Sequence, residues 1–268
     1  MKRIPHPAAA ETHDMIEFSD GRQIQAPRWT SPKRADPVVI ADSVLEIIDE
    51  RLTARQAIHK DPHLSSAGRA HKSRPVDEEI LGRVAAAWSQ VETYAAGLDN
   101  REAALLALPT LDPTAAAVAV EDRECRDWWR ALPTEERARM LARIDAEPEK
   151  HQRLAIALLR SPLPLAMLDG EVNFVRDVWN RGRRASNPEE AAAIDDGRAA
   201  VAYAKELILH TAAIAQHSIG VSRNDVVDTL TTSKLVTGTG YRAFGFSDQD
   251  AAASRQRVEA TGIMNRTA

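Results

Sequence analysis

A single cysteine, Cys125, in 268 residues excludes an internal disulfide framework and any site built from several thiolates. Its expected use is as a small buried apolar side chain rather than as a nucleophile. Aromatic residues supply only 4% of the chain, so a core must be assembled from aliphatic and small side chains. No uninterrupted apolar run approaches the roughly 20 residues of a membrane span. The segment MKRIPHPAAAETHD opens with basic residues but has no apolar stretch behind it, so a secretory signal is not expected and a cytoplasmic product is. An excess of positive charge is also missing: 35 basic against 39 acidic side chains leave a net charge of −4. That balance argues against a protein whose main task is to neutralise phosphates.

Alanine is abundant, with 46 residues. It is the best helix former and a poor strand former, so the expected fold is all-α, a multi-helix bundle. Residues 1–36 contain Pro5, Pro7, Pro27 and Pro32 with few aliphatics, and read as an extended proline-rich N-terminal arm. Within it, MIEFSDGRQIQAP offers a small hairpin around Asp20-Gly21. Asp36-Pro37 then opens a helix to about His59 with a stripe of Ile40, Val44, Ile47, Ile48, Leu52 and Ile58. Asp61-Pro62 stops it, and the polar segment up to Pro75 reads as a hinge, giving a second region over 37–75.

A helical core is expected over 76–220. Ile80, Leu81, Val84, Trp88, Val91 and Leu98 share a face, with a break expected near Gly97. Asp112-Pro113 and Thr134 mark two further helix starts, HQRLAIALLR follows Pro148, and Asp169 opens a helix carrying Val172, Val175, Val178 and Trp179. The longest pattern runs from Asn187-Pro188 to about Ser218. Ile194, Val201, Ile208 and Ala215 recur every seventh residue, beside a row of small residues, Gly197, Ala204, Thr211 and Ser218. Such a seam admits another helix closely, within the subunit or between subunits. Residues 221–268 carry capping-box-like starts at Ser222 to Asp225 and Ser247 to Asp250 around LVTGTGYRAFGFS, the one hairpin candidate in the C-terminal half.

Catalytic and metal constellations are sparse. His59 and His63 have helical spacing, but Asp61-Pro62 lies between them, while His210 and His217 are roughly 10 Å apart along a helix. Paired carboxylates such as Glu78-Glu79, Glu135-Glu136 and Glu189-Glu190 sit in first helical turns, where the helix dipole accounts for them. Gly238, Gly240 and Gly245 lack the spacing of a phosphate-binding loop. No cofactor is implied, and an enzyme would need a dispersed site, with His210, Asp195 and Glu206 as its nearest approach. The best nucleic-acid candidates are Arg181, Arg183 and Arg184, with Lys60, Arg69, Lys72 and Arg74 as a second patch. Residues 76–150, with 9 basic and 16 acidic side chains, oppose that use. Trp128-Trp129 is the best candidate for protein contact, because neighbouring helical residues point about 100° apart and only one of them can face the core. Ala204 and Thr211 of the small-residue seam are further contact candidates.

Two stretches resemble proteins of the virion structural module of tailed bacteriophages. One is LTARQAIHKDPHLSSAGRAHK, from Leu52 to Lys72, where a helix meets an Asp, then Leu-Ser, then Gly and a basic residue. The other is ALPTEERARMLARIDAEPEKHQRLAIALLRSPLPLAML, from Ala131 to Leu168, with its small helix, polar turn, apolar helix and Pro-Leu connector. Together they cover under a quarter of the chain. The resemblance implies a non-enzymatic head, neck or internal component. Such a protein would be assembled in the bacterial cytoplasm and located in the virion, as a homo-oligomer or in contact with a portal, capsid or tail protein.

Overall fold

Asp20 and Gly21 reverse the chain, with Gly21 at a φ of +86° and its N–H donating to the Phe18 carbonyl at 2.9 Å. In the computed structural model, which describes residues 1–9, 11–112, 114–160, 167–232 and 239–260, this turn joins two strands of a three-stranded antiparallel sheet. The strands are β1 (Lys2–Pro5), β2 (His13–Glu17) and β3 (Gln23–Pro27), in the order β1-β2-β3. Lys2 stands opposite Glu17, and His13 opposite Pro27. The expected hairpin is therefore present, and the expected extended arm over 1–36 is corrected. Ile16, Phe18 and Ala26 give the sheet a buried face, while Pro5 and Pro27 end their strands, where a missing N–H donor does least harm.

Helices follow as α1 (Asp36–Lys60), α2 (Ser66–Leu106), α3 (Ala116–Ala131), α4 (Thr134–Ala146), α5 (Gln152–Leu159), α6 (Asp169–Ser186), α7 (Pro188–Ile219), α8 (Arg223–Thr232) and α9 (Asp248–Ala260). A 3-10 helix spans Gly240–Phe244. The described residues are thus mostly helical, with a small three-stranded sheet. No helix among the described residues is long and apolar enough to cross a membrane.

Three sequence expectations change here. The hinge up to Pro75 is helical from Ser66, because Ser65 Oγ accepts the Gly68 N–H at 3.1 Å and starts α2. Pro75 is tolerated inside that helix on its exposed side, where water can serve the carbonyl left without an N–H partner. Gly97 does not break α2 either; Ala95, Ala96 and Leu98 beside it are good helix formers, and a lone helical glycine costs only about 1 kcal/mol. The expected C-terminal hairpin lies partly on residues 233–238, outside the described residues, and Gly240–Phe244 forms a 3-10 turn rather than a strand.

The chain divides into two compact units, Met1–Gly97 with Asp196–Ala268, and Leu98–Asp195. The first unit packs the sheet with Val38, Ala41, Leu45 and Ile48 of α1, Ile80, Leu81 and Val84 of α2, and Ala204, Leu207 and Ile208 of α7. Fully burying each of these larger aliphatics contributes on the order of 1.5–3 kcal/mol. Polar clasps fix the sheet. Asp49 of α1 accepts the backbone N–H and the hydroxyl of Ser19, at 2.7 and 2.6 Å. Asp42 accepts from Arg3, Arg34 and the Tyr203 hydroxyl, at 3.0, 3.0 and 3.1 Å, and the Trp29 and Tyr203 rings lie 5.5 Å apart.

In the second unit Trp129, Ile144, Ala155, Leu158, Met167, Val175 and Val178 form the main core. Asp122 of α3 is 3% exposed, and its charge is balanced by Arg153 at 2.6 Å and Arg160 at 2.7 Å, which join α3 to α5 and its end. Arg126 Nη1 adds a bond to the Ala157 carbonyl at 3.1 Å.

Candidate functional site

Within the second unit, α3 presents two adjacent tryptophans in opposite settings. Trp129 is fully buried and its Nε1 donates to Glu171 Oε2 at 3.4 Å, whereas Trp128 is 44% exposed. This division follows from the roughly 100° step between helical neighbours. Val120, also on α3, is 45% exposed. Half of the large exposed apolar side chains among the described residues (Leu111, Val120, Trp128 and Leu168) fall in this unit, which holds little more than a third of the chain.

Next to the Trp129 anchor, α4 and the start of α6 frame an open, mainly apolar groove of about 700 Å³. Leu141, Phe174 and the well-exposed Leu168 line it, with Ala138 and Ala142 leaving space. Glu171 fixes this corner: it accepts the Leu168 N–H at 3.0 Å, opposes Arg137 at 3.6 Å and holds the Trp129 indole. A second cavity of about 590 Å³ lies among the end of α4, the start of α5 and the last turns of α6, with Ile144, Val178, Trp179 and Arg183 in its walls.

The other sequence candidates separate clearly. Ala204 and Thr211 have no exposed surface, and Ala204 belongs to the core of the first unit. Thr211 satisfies its hydroxyl on the Leu207 carbonyl at 2.8 Å. They are corrected as contact residues, since a second chain has no access to them. Of the arginine candidates, Arg181 pairs with Asp145, and Arg184 with Glu102 at 2.8 Å and Asp195 at 2.6 Å. Arg184 is accordingly held above its ordinary range, first by the hydrogen bond to Asp195. Arg183 instead donates Nε to the Leu105 carbonyl at 2.9 Å, and its guanidinium lies 5.9 Å from the Trp179 ring centre. In the other basic patch Arg74 pairs with Glu78 at 2.9 Å, and Arg69 donates to the Asp61 carbonyl at 3.1 Å. Most of these cations are thus spent on structural partners rather than aligned as a phosphate-binding surface.

The dispersed set of His210, Asp195 and Glu206 does not form one centre. Asp195 is taken by Arg184, while Glu206 lies 3.9 Å from His13. Among the described residues no group of three or more His, Cys, Asp or Glu side chains is arranged to hold a metal ion. Cys125 is half-buried. Burial pushes the Asp77 carboxyl up despite its 2.6 Å contact with Arg55, which also donates to the Ser218 and Ile219 carbonyls. Arg55 thus anchors the end of α7, and Asp77 holds Arg55 in place.

The groove residues Leu141, Leu168 and Phe174 were not singled out by sequence reasoning. A signal existed in Phe174, which lies off the buried stripe of Val175, Val178 and Trp179 and so marks a second apolar face of α6. No family model matches the chain, and no curated protein or solved structure matches it.

Proposed function

We propose that the chain works by protein–protein contact, as a non-enzymatic structural or assembly component of a bacteriophage particle. The observation that carries the contact reading is Trp128, a large apolar side chain left 44% exposed beside a fully buried neighbour. Tryptophan is the residue type most enriched at the energetic centres of protein interfaces. Val120 on the same helix and the groove at Leu168 extend the uncovered apolar surface of this unit. The particle assignment rests on the resemblance of Leu52 to Lys72 and Ala131 to Leu168 to virion-module proteins.

In this reading the first partner is a second copy of the chain, and the assembly then meets a portal, capsid or tail component. Location in the virion follows from that role. The test is recovery of the chain at fixed stoichiometry from purified particles of the phage that encodes it, or in complex with one of those components. Trp128→Ser is expected to reduce incorporation without lowering the yield of folded protein. Absence of the chain from particles and from all three complexes contradicts the assignment.

A further inference from the structure

The 590 Å³ cavity at the end of α6 stands apart from the apolar contact surface, because one of its walls is a fixed cation. Its apolar part is Ile144, Val178 and the buried ring of Trp179. Trp179 is held in place by its indole N–H, which donates to the Leu106 carbonyl at 2.9 Å. Arg183 is held in turn by Nε on the Leu105 carbonyl at 2.9 Å and by the Trp179 ring at 5.9 Å. Two contacts thus set the guanidinium, while its terminal nitrogens have no partner among the described residues. Arg181 and Arg184, its neighbours on α6, are both consumed by carboxylates.

A planar guanidinium fixed in this way takes a carboxylate through two parallel N–H bonds at little ordering cost. A cavity of this size falls within the roughly 300–1,000 Å³ typical of small-molecule sites. We propose that it binds a small organic carboxylate with an apolar body, the acid group on Arg183 and the body against Ile144 and Val178. Gln152 adds an amide on the wall. Glu149 also lines the cavity, but it is exposed, and solvent screens its charge more than that of the half-buried Arg183.

The experiment titrates the protein with 3-phenylpropionate and, as the neutral isostere, 3-phenylpropanamide, reading binding by calorimetry and Trp fluorescence. Saturable binding of the acid is expected, with the amide weaker by about tenfold or more, because a hydrogen bond to a charged group is worth more than one to a neutral group. Arg183→Gln should lose the same factor, and Glu149→Gln should strengthen binding. Gly182→Leu gives a control independent of Arg183: Gly182 lines the cavity and a β-carbon there meets nothing within 4 Å, so a larger side chain at this wall is expected to fill part of the site. Unfolding curves confirm that each variant is folded. Failure of the acid to bind, equal binding of acid and amide, binding that survives in Gly182→Leu, or binding weakened by Glu149→Gln would each overturn the proposal.

Discussion

Gly240 packs so tightly on α2 that a β-carbon built there would lie 2.4 Å from the Ala85 carbonyl oxygen. The obstacle is backbone and has no flexible end to move aside, so Gly240→Ala is expected to destabilise the protein by about 1–3 kcal/mol, measured by urea unfolding. Gly182, with open space around it, should respond in the opposite sense, and Gly182→Ala should stabilise by up to about 1 kcal/mol through helix propensity. Tyr203 gives a titration at the same scale. Burial, followed by the nearby Asp42 charge, pushes its phenol up to about 12. The folded state therefore holds the proton more tightly than the unfolded chain, whose tyrosine titrates near its usual value of about 10. Stability from this group is full below about pH 10 and falls as pH rises toward 12. A phenolate absorbance titration should show a phenol titrating near pH 12 that Tyr203→Phe removes. The opposite fates of Trp128 and Trp129 are legible in the sequence, since adjacency on a helix forces them. The constraint on Gly240 is not, because it comes from a backbone atom of another helix.

The helices declare themselves through apolar periodicity and terminal chemistry. Ser247 and Asp250 form the expected reciprocal cap of α9: the Asp250 N–H donates to Ser247 Oγ at 3.2 Å and the Ser247 N–H to Asp250 Oδ2 at 2.8 Å. Ser247→Ala should cost about 1 kcal/mol, read as a lowered midpoint in thermal or urea unfolding. The end of α7 is equally legible, since Gly220 takes the left-handed conformation with a φ of +70°. The N-terminal sheet is hidden for a physical reason. Its strands have four or five residues, β1 buries none of them, and β2 and β3 each bury a single apolar side chain, Ile16 and Ala26, too few to display an alternating pattern against a proline-rich background. Pro75 misleads in the other direction, because a proline on an exposed helix face is tolerated where a buried one would not be. The groove and the cavity are legible only in part. Val175, Val178 and Trp179 stand out as a stripe, whereas the approach of Leu141 and Gln152 depends on how α4 and α5 fold back on α6.

On the scale of the whole molecule, charge supports the chain's own architecture. Arg153 and Arg160 serve Asp122, Arg184 serves Glu102 and Asp195, and Arg3 and Arg34 serve Asp42. The surface of the Leu98–Asp195 unit, by contrast, retains large apolar side chains without a cover. An interface centred on Trp128 should hold through apolar burial and should respond weakly to ionic strength. The most direct measurement is the mass of the nucleic-acid-free protein in solution, at two salt concentrations and over a range of protein concentrations, for the native sequence and Trp128→Ser. The expected result is a discrete dimeric or ring-sized species insensitive to salt, which dissociates to folded monomers in Trp128→Ser. A native chain that stays monomeric throughout, or an assembly that Trp128→Ser leaves intact, would contradict self-association through this face.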